Sequence, residues 1–73
     1  MTKKQTSFKN AASTFLQTGI DYFEREDYET ARIFLGLAGK LFSDLNDEWN
    51  VRIVNPWYES TLEKLGLPCI PNW

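Results

Sequence analysis

The sequence predicts an all-α fold: a helical hairpin, a short third helix that completes a three-helix bundle, and an extended apolar C-terminal tail. Three observations predict it. Between Phe15 and Phe42, apolar residues recur at steps of three and four on both sides of a charged break, Glu24-Arg25-Glu26-Asp27, the pattern of two helices folded back on each other. Asn55-Pro56 reads as a helix start and Gly66 as a helix end. Beyond it, Pro68 and Pro71 prevent the helix from continuing. Residues 1–73 are expected to form a single small helical domain. It divides into a flexible basic N-terminus (1–6), the hairpin (7–45), short helical segments (46–66) and the tail (67–73).

The first helix is expected to start near Ser7, whose hydroxyl suits the free amides of a first turn. Phe8, Ala11, Ala12, Phe15, Gly19 and Tyr22 mark its apolar or small side, and Leu16, Ile20 and Phe23 form a second stripe beside it. Gly19, in mid-helix, implies close packing, since glycine there costs about 1 kcal/mol of helix propensity relative to alanine. Asp27 is the expected N-cap of a second helix running from about Tyr28 to Ser43 or Leu45. Its stripe is Ala31, Phe34, Leu35, Ala38, Leu41, Phe42 and Leu45. Ile33 and Leu37 widen that stripe, which predicts cover on two sides.

The second half is less regular. Residues 49–54 alternate like a strand and also fit a helix; a lone strand lacks a partner, so a short helix is preferred. From Pro56 to about Leu65 a third helix would bury Trp57 or Tyr58, Leu62 and Leu65. The tail places Leu67, Ile70 and Trp73 within seven residues, and so is expected to pack down on its own domain or on a partner.

Composition bounds the function. The chain has 73 residues, 42% hydrophobic and 15% aromatic, which is enough to fold but leaves a small core whose stability a partner would readily supplement. A net charge of -2 argues against attraction to nucleic acid or to an anionic membrane. A single cysteine, Cys69, rules out an internal disulfide. The longest apolar run is far short of a membrane span and the amino end lacks a signal-peptide core, so a cytoplasmic protein is expected.

Residues 12–43 resemble a single tetratricopeptide repeat. The matching positions are Phe15, Gly19 and Tyr22 in the first helix and Tyr28, Ala31 and Ala38 in the second, with Glu26-Asp27-Tyr28-Glu29-Thr30-Ala31 the most recognisable run. Thr18 departs from the pattern, being polar, and Ser43 stands where the family places a proline. A weaker similarity is to the microtubule-interacting and trafficking domain, a three-helix bundle. The tetratricopeptide resemblance implies an adaptor-type protein. Its first helix would line a concave ligand surface with Ser13, Leu16, Gln17, Ile20, Phe23 and Glu24. One repeat cannot bury its own faces, so the remaining residues must supply a cap.

For chemistry the chain offers little. It has no histidine, the usual acid-base group and metal ligand. Cys69 sits between Pro68 and Ile70 without an activating base, and reads as a partly buried structural thiol. Asp21, Glu24, Glu26, Asp27 and Glu29 gather at the interhelical turn without the spacing of a calcium loop, and read as a solvated turn. No enzyme, cofactor or metal is expected. The function expected is protein–protein interaction, as an adaptor or a small phage-type inhibitor. Leu16, Ile20, Phe23, Glu24 and Trp73 are the candidate partner-binding residues. The alternative is a structural subunit or homodimer that buries its surplus apolar surface against a second copy. The aromatic group Trp49, Trp57, Tyr58 and Trp73 is a second feature that could carry binding, since such rings often anchor interfaces, yet in so small a chain most are expected to be core.

Overall fold

Three α-helices make up almost all of the described chain: α1 (Lys3–Glu24), α2 (Tyr28–Asp44) and α3 (Glu48–Lys64). The computed structural model describes residues 3–69, and side chains from Ser7 onward. Among the described residues there is no strand, and no helix is long and apolar enough to cross a membrane. α2 lies between the other two and packs along both. α1 and α3 run parallel to each other and touch at few points.

The core follows from the α2 pattern. Ala31, Leu35, Ala38, Gly39 and Phe42 are buried at helical steps, with Ala12 from α1 and Val54, Tyr58 and Leu62 from α3. Gly19 lets α1 approach α2: a Cβ built there would lie 2.6 Å from Leu35 Cγ. Beside that crossing Phe34 stacks on Tyr22 with ring centroids 5.8 Å apart and meets Phe15 at 6.0 Å. Thr61 is buried, and its hydroxyl donates to the Trp57 carbonyl at 2.8 Å, which satisfies it locally.

Both connections are built alike. Asp27 and Asp47 cap α2 and α3, accepting the backbone N–H of Thr30 and Asn50 through their side chains. Ahead of each cap stands one residue with positive φ, Glu26 (64°) and Asn46 (56°). Asp27 N–H reaches back to Tyr22 O and Asp47 N–H to Phe42 O, both at 2.9 Å. A third copy of the same bond, Leu67 N–H to Leu62 O at 2.9 Å, follows Gly66 at φ 72°. These are Schellman closures, in which a left-handed residue lets the next amide satisfy a carbonyl of the last helical turn. They recur every twenty residues, and the helix starts repeat in sequence as Asp27-x-x-Thr30-Ala31-Arg32-Ile33 and Asp47-x-x-Asn50-Val51-Arg52-Ile53. The repeated unit is thus one helix and its turn.

Three expectations are corrected. α1 begins at Lys3 rather than near Ser7, extending over straight-chain residues that favour helix. Residues 46–66 are not short segments: α3 is one continuous helix with Pro56 inside it. Pro56 and Arg52 both lie on the exposed side, where water can take up the Arg52 carbonyl that the proline leaves without a donor. The expected cover of α2 on two sides is present, from α1 and α3, while Ile33 and Leu37 occupy a third side, at 56% and 42% exposure. Cys69 is exposed rather than partly buried, its thiol 3.6 Å from the Glu59 carbonyl.

Candidate protein-docking groove

Parallel helices that touch at few points leave a furrow between them. On α1, Leu16, Ile20 and Phe23, spaced by four and three, are half-buried and packed against the core, and Phe23 reaches α3. The furrow is closed at one end by an aromatic contact. The rings of Phe23 and Trp57 meet edge to face with centroids 5.5 Å apart at 82°, and Phe23 meets Tyr28 in the same way at 5.3 Å. At the other end, Lys9 Nζ lies 3.4 Å from Asp47 Oδ2, tying α1 to the start of α3. Asp47 also accepts from Asn50 Nδ2 at 2.7 Å. That hydrogen bond is the main reason its carboxyl is held below the usual aspartate value; burial opposes it, and the Asn50 backbone amide and Lys9 add smaller lowering effects.

From Trp57 an apolar stripe continues outward along α3. Trp49, Ile53 and Trp57 stand four residues apart and so fall on one face. Trp57 is half-buried, Ile53 is 40% exposed and Trp49 is 74% exposed. A tryptophan so far in water packs little against the described residues of its own domain. On an interface, its ring would supply a large rigid contact.

The structure brings together three of the five predicted partner-binding residues, Leu16, Ile20 and Phe23, but as the half-buried floor of the furrow rather than as a free stripe. Glu24 is exposed at the end of α1. Trp73 and Ile70 lie outside the described residues. Of the aromatic group, Tyr58 is core, Trp57 is half-buried and Trp49 is the exception. Trp49 belongs to the aromatic group weighed from the sequence as interface anchors, but its alignment with Ile53 and Trp57 is hidden there because Asn55-Pro56 divides their helix. Read as one helix, the four-residue spacing of Trp49, Ile53 and Trp57 would have shown the stripe.

Elsewhere the surface offers less. A polar cleft of about 420 Å³ at the α2–α3 turn is lined by Ser43, Asn46, Asp47, Glu48, Val51, Arg52 and Asn55. Its Asp47 is already engaged by Asn50 and Lys9. An apolar dimple of about 150 Å³ lies among Phe8, Leu41, Asp44 and Leu45. The five turn carboxylates are exposed, and among the described residues no group of three or more acidic or cysteine side chains could hold a metal ion.

No protein-family model, curated protein or solved structure matches this chain.

Proposed function

We propose that this protein is a non-enzymatic interaction module, an adaptor or small inhibitor, that receives another protein surface in the groove between α1 and α3. The observation that carries the reading is Trp49, exposed at 74% and in line with Ile53 and Trp57. Support comes from the mix of surfaces: Leu16, Ile20 and Phe23 are half-buried and apolar, and the stripe that begins at Trp57 beside Phe23 runs out into water at Ile53 and Trp49. The resemblance of residues 12–43 to a tetratricopeptide repeat supports the same surface, since that family presents ligand on its first helix. Glu24 sits at the rim, beside a turn rich in carboxylates, and favours a basic flank on the incoming chain. Neither nucleic acid nor a membrane is the partner on this reading, and the protein works in the cytoplasm.

The test is selection of peptides from a display library against the wild-type protein, repeated on a Trp49→Asp/Ile53→Asp variant. Both positions are exposed, so the variant is expected to fold and to melt near the wild type. Peptides retained by the wild type and lost by the variant support the groove. Peptides indifferent to both substitutions would place binding elsewhere.

A further inference from the structure

The partner of this groove can be named more closely, on the reading just given, from where the charge of the molecule lies. The half of the body next to the α1–α2 turn, residues 17–36 and 55–69, carries seven carboxylates and three basic side chains. The half at the other end, residues 7–16 and 37–54, carries three of each. This asymmetry arises because α1 and α3 run parallel and bring their acidic C-terminal halves to the same end. The long axis of the molecule is 39 Å, well beyond the screening length of about 8 Å at physiological salt, so the acidic end presents its own field. That field is not cancelled from within. Among the described residues the one ion pair, Lys9–Asp47, lies at the other end. Arg25, inside the acidic turn, stands over the Tyr22 ring at 5.4 Å instead of pairing with a carboxylate.

The apolar surface at this end is aromatic. Phe23, Tyr28 and Trp57, one from each helix, meet edge to face and are all half-buried, so part of each residue reaches water. Glu24 follows Phe23, and Asp27 and Glu29 flank Tyr28, so three exposed carboxylates stand within one residue of the rings. Rings with carboxylates beside them suit a cation better than a purely apolar side chain. The ring quadrupole attracts the charge, and the carboxylates accept its hydrogen bonds. A guanidinium meets both demands, since it stacks on aromatic faces and offers a planar fork of N–H donors. Farther along the stripe, Ile53 and Trp49 belong to the half of the body whose charges balance, and they match apolar side chains. A fitting ligand therefore has an order: basic residues at the Trp57 end and apolar ones toward Trp49.

We infer that the aromatic end of the groove, Phe23, Tyr28 and Trp57, seats an arginine-bearing segment of a partner protein, held by stacking on the rings and by the carboxylates of the α1–α2 turn. The probe is a labelled synthetic peptide with a leucine-rich half and an arginine-rich half, titrated with the full chain and read by fluorescence anisotropy. A control peptide carries glutamate in place of arginine. Saturable binding of the arginine peptide is expected, weakened by added salt, with none of the control. Glu24 and Asp44 make a matched pair for locating the charge. Each is exposed and ends its helix, α1 or α2, but they lie at opposite ends of the body. Glu24→Lys and Asp44→Lys therefore change net charge and helix terminus alike, and both are expected to melt near the wild type. Glu24→Lys is expected to weaken binding about fivefold to tenfold, and Asp44→Lys less than about twofold. Glu24→Gln serves if the lysine variant fails to fold, with a loss of about threefold. Tyr28→Leu keeps apolar bulk but removes the ring, and is expected to cost about threefold. An arginine peptide that does not bind, a glutamate peptide that binds equally well, equal losses in Glu24→Lys and Asp44→Lys, or no loss in Tyr28→Leu would each overturn the arginine seat. The groove itself is judged separately. Library peptides lost by the Trp49→Asp/Ile53→Asp variant but free of basic residues would keep the groove and overturn the seat; a library that yields none would remove both.

Discussion

Leu35 occupies the space that a side chain at residue 19 would need: a Cβ there would stand 2.6 Å from its Cγ, 2.8 Å from its Cδ2 and 3.1 Å from its backbone nitrogen. Leu35 is fully buried, and a backbone nitrogen inside α2 has no room to retreat. Gly19→Ala gains about 1 kcal/mol of helix propensity but meets an overpacking cost of about 1–3 kcal/mol or more. A lower melting temperature is therefore expected. Gly36 makes the contrasting case, since a Cβ there would meet Tyr58 Cε2 at 3.6 Å, an ordinary contact. Gly36→Ala is expected to raise stability by about 0.5–1 kcal/mol. Paired thermal melts of the two variants check the crossing.

The twenty-residue recurrence of the turn gives a second expectation. Glu26 holds a left-handed conformation that costs a non-glycine residue about 1–2 kcal/mol. Glu26→Gly is expected to stabilise the protein by about 1 kcal/mol, although glycine loses more chain entropy on folding. Asn46 occupies the same conformation, which asparagine tolerates, so Asn46→Gly is expected to change little. Urea denaturation of both variants would show whether the equivalence of the turns is energetic as well as geometric.

Asp47 links stability to pH. Its folded-state carboxyl titrates below its unfolded value, first because of the Asn50 side chain. Its contribution is therefore fully present above the usual aspartate range and is lost as pH falls through the lowered value. Asp47→Ala removes an N-cap, worth about 1 kcal/mol, together with the link to Lys9. At neutral pH the variant is expected to be less stable than the wild type, and below the aspartate range the gap is expected to narrow. Urea titrations at several acid pH values measure that gap directly.

Much of this fold was legible in the sequence, and the reasons are physical. The three-and-four spacing around Leu35 and the Asp27 cap sufficed to place α2, because one buried stripe and one capping side chain determine a helix locally. Gly66 ended α3 as expected, taking the left-handed conformation that glycine favours. Pro56 misled because proline is equally at home at the first turn of a helix and on a solvated face where its missing N–H is harmless. Which helix sides meet is a tertiary property. Leu16, Ile20 and Phe23 carry the same spacing whether α3 covers them or a partner does, and only the Phe23–Trp57 contact shows that α3 covers part of them. Ile33 and Leu37 show the reverse: an apolar stripe wider than the packing it receives.

Phe23 and Trp49 separate support from contact. Phe23 joins Tyr28 and Trp57, so Phe23→Ala is expected to cost about 2 kcal/mol, less than the 3–5 kcal/mol of a fully buried ring. Trp49→Asp, on the exposed end of the stripe, is expected to shift stability by no more than about 0.5 kcal/mol while removing association. Chemical denaturation and a binding or sedimentation assay on both variants distinguish the two roles.

The central claim is that the Trp49 face is covered by another protein surface. The most direct measurement is the attenuation of the Trp49 indole N–H signal by a soluble paramagnetic agent, followed by NMR as a peptide selected on the wild type is titrated in. The account predicts strong attenuation in the free protein and progressive protection as peptide is added, with Trp57 changing less. Attenuation of Trp49 that stays the same throughout the titration would contradict it.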